Sequence, residues 1–178
     1  ETTEIKASSL SKGESFYDTA RVLSGYSDII VMRHGQEGSV GEFAGASRVP
    51  VINAGDGANE HPSQALLDLY TIRQEMLGRR KKVDGLRIAL IGDLRFGRAV
   101  HSLCELLSLY EHIQFTLISP KDLSLPKKYL ALIKERGHQI EESEDLHAGI
   151  AKSDIIYMTR TQEERFASQD EANKYRGL

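Results

Sequence analysis

Arginine recurs where the sequence leaves its short apolar runs. Arg33, followed by His34, ends the run 29–32; Arg98 closes the polar turn after the run 86–91; Arg160 lies in the polar segment that follows 154–158. In open parallel sheets, ligands bind beyond the carboxyl ends of the strands, so these are the positions to read for chemistry. An arginine ending a buried strand either pairs a structural acid or meets an anionic ligand. Three of them on one rim favour a polyanionic small molecule, because guanidinium forks match carboxylate and phosphate.

The segment His61-Pro62-Ser63-Gln64 is more specific. Its first and last residues are three apart at a helix start, so both project from one face beside unpaired backbone N–H groups and the positive end of the helix dipole. That dipole disfavours imidazolium, leaving a neutral His61 able to donate a hydrogen bond to a carbonyl oxygen on which charge develops. Gln64 offers an amide both a carbonyl and an NH2. The alternative is a plain N-terminal histidine with a solvent-facing glutamine.

The turn Gly92-Asp93-Leu94-Arg95-Phe96-Gly97-Arg98-Ala99 invites two nucleotide readings, and both fail. Arg98 and Ala99 replace the Lys and hydroxyl residue that a P-loop requires, and Leu94 stands where a dinucleotide fingerprint needs glycine. What remains is a glycine-bounded turn presenting Arg98 at a helix N-terminus, a general anion site. His101 and Glu105 share a helix face but lack a third convergent ligand, so an ordinary helix pair is preferred to a metal site. Cys104, among leucines, reads as a buried apolar thiol. Ser63, Ser102 and Ser119 have no nucleophile-elbow setting. With no activated nucleophile in view, positioning and electrostatics are the expected basis of any catalysis.

The elements that must hold these residues alternate. A helix at 15–23 leads to a strand at 29–32; a glycine-weakened helix at 36–46 precedes a strand at 49–53 and a loop at 55–57. A strong helix follows at 61–77, where Ala65, Leu66, Leu69, Ile72 and Met76 recur at helical spacing and Pro62 occupies a first-turn position. After a polar, glycine-bounded stretch the alternation restarts: strand 86–91, helix 98–109, strand 115–118, helix 126–136, weak strand 139–141, short helix 146–151 and strand 154–158. Such alternation specifies parallel strands with helical crossovers. The fold class is therefore α/β, with two parallel-sheet domains flanking a cleft: residues 1–78, a linker at 79–85, and residues 86–178.

Composition narrows the setting. The 178 residues carry a formal net charge of -3, with 40% hydrophobic and 28% charged residues, as in an ordinary globular protein. No apolar run reaches the roughly 18 residues a bilayer span needs, so no membrane role is expected. The lone Cys104 excludes an internal disulfide, and no Cys/His cluster with zinc spacing occurs; a reducing cytoplasm fits. The mild acidity argues against nucleic acid as a partner, and the basic run 79–82 reads as a solvated connection.

Taken together, Ser-Lys-Gly-Glu (11–14), Val-Met-Arg-His (31–34), Asn-Ala-Gly-Asp-Gly (53–57), His-Pro-Ser-Gln-Ala-Leu-Leu-Asp (61–68), Gly-Asp-Leu-Arg-Phe-Gly-Arg-Ala-Val-His-Ser-Leu (92–103) and Tyr-Met-Thr-Arg-Thr-Gln-Glu-Glu-Arg-Phe (157–166) resemble the aspartate carbamoyltransferase family, catalytic chain, in order along the whole sequence. The resemblance implies a transcarbamoylase-like fold and transfer of a carbamoyl group from carbamoyl phosphate to the amine of L-aspartate, in pyrimidine biosynthesis, with no metal or organic cofactor. Carried onto this sequence, it implies that Arg33 contacts carbamoyl phosphate, His61 polarises its carbonyl and Gln64 binds its amide. Arg98 and Arg160 would hold the two carboxylates of aspartate, with Gln162 orienting the amine. Lys12 would reach both substrates from a neighbouring subunit, accompanied by Ser8. That sharing implies a homotrimer; regulatory chains accompany some relatives.

Two family segments, Ser-Thr-Arg-Thr-Arg and His-Pro-Leu-Pro-Arg, do not occur in the sequence, and Gly35 replaces the usual proline after Arg-His. The chain therefore reads as the middle of a longer two-domain polypeptide, incomplete for activity on its own. Two alternatives stand: a sister transcarbamoylase of the ornithine type, whose pocket would have to bind a cationic side chain, and a non-catalytic transcarbamoylase-like scaffold subunit.

Overall fold

The structure, a computed structural model, describes residues 13–175. It divides into two compact units, residues 1–63 and 64–178, each with its own parallel sheet.

The first unit runs helix α1 (Phe16–Leu23), strand β1 (Ile30–His34), helix α2 (Ser39–Ala46) and strand β2 (Val51–Asp56). Ser15 starts α1 by accepting the Asp18 N–H at 3.1 Å, satisfying one of the helix's orphan donors. The strands pair in parallel, Ile30 opposite Val51 and Val31 opposite Ile52. Alternation along them sends Ile30, Met32 and Val51 toward Ala20, Phe43 and Ala46 of the two helices, which form the core. The opposite face carries Val31 and Ile52, 64% and 44% exposed. Strand β2 runs three residues past its expected end and absorbs Gly55 and Asp56, which the sequence reading assigns to a loop. Pairing explains the extension: Asp56 N–H donates to Glu60 O at 2.9 Å, and the Asp56 carboxylate takes up donors at the start of α2.

The second unit holds helix α3 (Pro62–Gly78), strand β3 (Arg87–Gly92), helix α4 (Arg98–Leu107), strand β4 (Gln114–Ile118), helix α5 (Lys127–Glu135), strand β5 (Gln139–Ser143), helix α6 (Leu146–Ala151), strand β6 (Ile155–Thr159) and helix α7 (Gln169–Asn173). The four strands are parallel in the order β5-β4-β3-β6. Ile88, Leu90, Phe115 and Leu117 point to one face and meet Ala65, Leu69, Ile72 and Met76 of α3 together with α4 and α5, forming a single large core. Full burial of each leucine, isoleucine, methionine or phenylalanine side chain among them contributes about 1.5–3 kcal/mol.

Compactness and sequence draw the division differently. The sequence reading separates the domains at 79–85, whereas the apolar stripe of α3 belongs to the core of the second unit. Within 79–85, Val83 is buried in that core and Lys81 reaches Asp154 at 2.9 Å. The same Asp154 binds Arg87 through Nε at 3.0 Å and Nη2 at 3.1 Å, clamping the starts of β3 and β6. Helix α7 was not expected; Ser168 caps it by accepting the Glu171 N–H at 3.2 Å. No helix among the described residues is long and apolar enough to cross a membrane.

Candidate active site

In the first unit, the ends of the two strands carry the candidate residues. Arg33 is exposed on the β1 face that also bears Val31. Next to it, His34 is fixed by its neighbours: its carbonyl accepts Gly57 N–H at 2.9 Å and its Nδ1 accepts Gln36 N–H at 3.1 Å. Its ring meets Phe16 edge-on at 5.0 Å. Asp56, only 3% exposed, accepts from the N–H groups of Gly38 (3.0 Å) and Val40 (3.4 Å) and from the Ser39 hydroxyl (3.3 Å). A buried carboxylate so placed serves the orphan donors of α2 and anchors the loop 57–60 that delivers His61. His61 immediately precedes α3, with its Nδ1 3.3 Å from the Ser63 hydroxyl.

In the second unit, β3 and β6 are neighbours in register, Gly92 opposite Thr159, so the turn bearing Arg98 and the segment bearing Arg160 leave the same edge of the sheet side by side. They approach closely because glycine allows it. A Cβ on Gly92, whose φ is +109°, would run into the Thr159 carbonyl oxygen, and one on Gly97 would lie 2.6 Å from the Asp93 carbonyl oxygen. The two glycines that bound this turn thus have a packing reason rather than a nucleotide-binding one.

Between the two segments lies Asp93, 0% exposed. Its carboxylate accepts Phe96 N–H at 2.9 Å and Gln162 N–H at 3.0 Å, tying the Arg98 turn to the Arg160 segment. Phe96 against Phe166, edge-on at 5.3 Å, adds an aromatic tie. Arg98 begins α4 directly after its glycine N-cap. The Arg160 guanidinium forms a two-pronged pair with Glu164, which raises the arginine's affinity for its proton and holds the Glu164 carboxyl well below the usual carboxylate range. Gln162 turns its side chain onto Arg160 O at 3.4 Å.

Gln64, in the first turn of α3, belongs to a separate chain of hydrogen bonds. Its Nε2 donates to Asp68 Oδ1 at 3.0 Å, and Asp68 Oδ2 accepts the Tyr157 hydroxyl at 2.9 Å. One of its amide donors is therefore already engaged.

The structure thus places Arg33 and His61 in the first unit and gathers Arg98, Arg160 and Gln162 in the second; Ser8 and Lys12 lie outside the described residues. Sequence reasoning passed over Asp56, Asp68, Asp93, Tyr157 and Glu164. Two had a signal: Asp68 and Glu164 stand four residues after Gln64 and Arg160, the spacing of helical neighbours. His101 is a core residue, its Nε2 2.9 Å from Leu94 O and its ring stacked on Tyr129 at 4.4 Å. Cys104 is buried, and burial pushes its thiol well above the usual range, as suits an inert side chain. Among the described residues, no three His, Cys, Asp or Glu side chains converge as metal ligands.

The chain is an α/β protein whose candidate arginines stand beyond the carboxyl ends of parallel strands, where proteins of this class bind their ligands. Residues 1–74 match the family model for the aspartate/ornithine carbamoyltransferase carbamoyl-P binding domain, and residues 84–176 match that for the Asp/Orn binding domain. The chain belongs to the aspartate/ornithine carbamoyltransferase family. It is 62% identical over 177 residues to the aspartate carbamoyltransferase catalytic subunit of Saccharophagus degradans, covering 99% of this chain and 52% of the relative. Identity to the same subunit of Methanococcus vannielii is 50% over 175 residues, 98% of this chain and 56% of the relative. Among solved structures, aspartate transcarbamoylase from Trypanosoma cruzi in complex with carbamoyl phosphate and aspartate gives a TM-score of 0.88 at 41% identity, covering 99% of this chain and 56% of that one. The catalytic subunit of M. jannaschii aspartate transcarbamoylase gives 0.80 at 48%, covering 97% and 55%. The chain spans about half the length of the curated relatives it matches.

Proposed function

We propose that the whole protein transfers the carbamoyl group of carbamoyl phosphate to the amine of L-aspartate, giving N-carbamoyl-L-aspartate and phosphate. The observation that carries the acceptor assignment is the side-by-side departure of the Arg98 and Arg160 segments from β3 and β6, bound together by buried Asp93. Two guanidinium groups suit a dicarboxylate; an ornithine acceptor would bring a cationic side chain to them. The arginine–glutamate pair does not oppose this, since a substrate carboxylate can take over the donors that Glu164 now uses.

In this reading the neutral amine attacks the carbonyl carbon, a C–N bond forms, the C–O bond to phosphate breaks, and the proton lost by nitrogen leaves with the phosphate. His61 donates to the carbonyl oxygen as it becomes an oxyanion, Arg33 offsets charge on the phosphate, and Gln64 holds the carbamoyl amide. Gln162 orients the amine. Lys12 and Ser8 come from a neighbouring subunit, so the active unit is a homotrimer, to which regulatory chains can be added. A cytoplasmic location, without nucleic acid or membrane as partner, accompanies this chemistry.

A carbamoyl-transfer assay on the full gene product tests it. Formation of carbamoyl aspartate, with Arg160→Ala raising the aspartate KM at least about tenfold, is expected from loss of a charge-assisted pair. Equal turnover of ornithine, or an unchanged aspartate KM in the variant, contradicts the acceptor assignment. For the shared site, a Lys12→Ala chain mixed with a His61→Ala chain should recover part of the activity; assembled hybrids with none would contradict it.

A further inference from the structure

The Gln64–Asp68–Tyr157 chain joins α3 to β6 and fixes the direction of one amide. Gln64 and Asp68 are four residues apart on α3, and Tyr157 reaches them from β6, where it is held in register opposite Leu90. A carboxylate only accepts hydrogen bonds, so the Gln64 amide must turn its NH2 toward Asp68, which directs Oε1 the other way. The second carboxylate oxygen is occupied by the Tyr157 hydroxyl. Burial, and then the bond to Asp68, push the Tyr157 phenol up, so it remains a donor throughout the neutral range. Neither partner of Asp68 can reverse its role, and the amide is locked in one of its two orientations.

We propose that Asp68 and Tyr157 are positioning residues that hold the Gln64 side-chain oxygen outward as an acceptor for the N–H of a carbamoyl group, and so select carbamoyl phosphate over acyl phosphates lacking that NH2. The inference rests on the assignment of Gln64 to the carbamoyl group. With the amide reversed, Gln64 would point donors at a donor; with Oε1 outward, it complements the NH2 and offers nothing to a methyl in the same place.

Acetyl phosphate, which carries CH3 where carbamoyl phosphate carries NH2, separates this role from a structural one. In the full-length protein, Asp68→Ala should weaken carbamoyl phosphate binding about tenfold, the loss of one well-placed hydrogen bond, while acetyl phosphate binding stays within about twofold. Tyr157→Phe should give about a threefold loss with the same selectivity, and Asp68→Ala should add nothing to Gln64→Ala. Equal weakening of both phosphates in Asp68→Ala, or additive losses in the double variant, would overturn the proposal. If Gln64→Ala abolishes the discrimination and Asp68→Ala keeps it, the positioning role alone fails. If Gln64→Ala also keeps it, the assignment of Gln64 fails and takes the inference with it.

Should Asp68→Ala not fold, Asp68→Asn provides the test. Its side-chain amide both donates and accepts, and the Tyr157 hydroxyl can meet either end of it, so nothing fixes the Gln64 amide and discrimination should fall; full discrimination in Asp68→Asn would overturn the proposal.

Discussion

The two units solve one problem with unequal resources. Each bears candidate residues on the carboxyl edge of a parallel sheet, and each sets a buried aspartate there: Asp56 at the end of β2 and Asp93 just after β3. In the second unit the aspartate rests on four strands and a core containing Leu86, Ile88, Leu90, Leu103 and Phe115. Among the described residues of the first it rests on two strands and a core of Ala20, Phe43 and Ala46. One device, a buried carboxylate gathering backbone donors at a strand end, serves both sites despite the difference in the sheet described behind it.

The largest effect is expected at Asp93. Asp93→Ala would strip the acceptor from two amide donors, at about 1–3 kcal/mol each, and free the Arg98 and Arg160 segments from one another. The aspartate kcat/KM of the full-length protein should fall about a hundredfold or more, with a lower denaturation midpoint. A near-normal value would show that the sheet positions the arginines without the carboxylate. Asp56→Ala should cost about 1–3 kcal/mol, confined to the first unit. Hydrogen exchange would then accelerate in 39–46 and leave β3 and β4 protected; acceleration in both would erase the contrast between the units.

A smaller effect is expected at the far end of the second sheet. Arg87, and secondarily Lys81, hold the Asp154 carboxyl well below the usual carboxylate range. A depressed carboxylate stabilises the fold above its unfolded value of about 3.9 and loses that contribution as pH falls through the lower folded value. Asp154→Asn should therefore cost about 1 kcal/mol at pH 7, allowing for the half-exposed cations, and the two proteins should converge as pH drops below about 4. A pH-independent difference would assign the loss to hydrogen bonding alone. Smallest of all, Cys104→Ser should leave activity unchanged, while the native thiol resists alkylation until the second unit opens. Rapid modification of the native protein would show that its core is looser than its packing implies.

The strands and helices were legible because period-2 and period-3.6 patterns are written in residue types, as in Ala65, Leu69, Ile72 and Met76. The arginine rim was legible because polar residues after a parallel strand have one place to go. Asp56 and Asp93 were not, since an aspartate beside glycine reads as a turn and its burial depends on a strand paired from elsewhere in the chain. Lys81 likewise read as linker because its partner, Asp154, is remote in sequence. Helix α7 could have been found: Ser168 and Glu171 have the spacing of a capping box.

The order of the second sheet also has a consequence in time. Strand β6, the last of its unit among the described residues, pairs with β3, the first. Chains emerge from the ribosome N-terminus first, so β3, β4 and β5 can meet while β6 is still unmade. The edge of β3 then waits with its hydrogen-bonding groups open, and Asp93 waits for the amide of Gln162. The acceptor pocket proposed for this edge therefore waits on β6, and a chain arrested before residue 160 would carry Arg98 without Arg160 beside it.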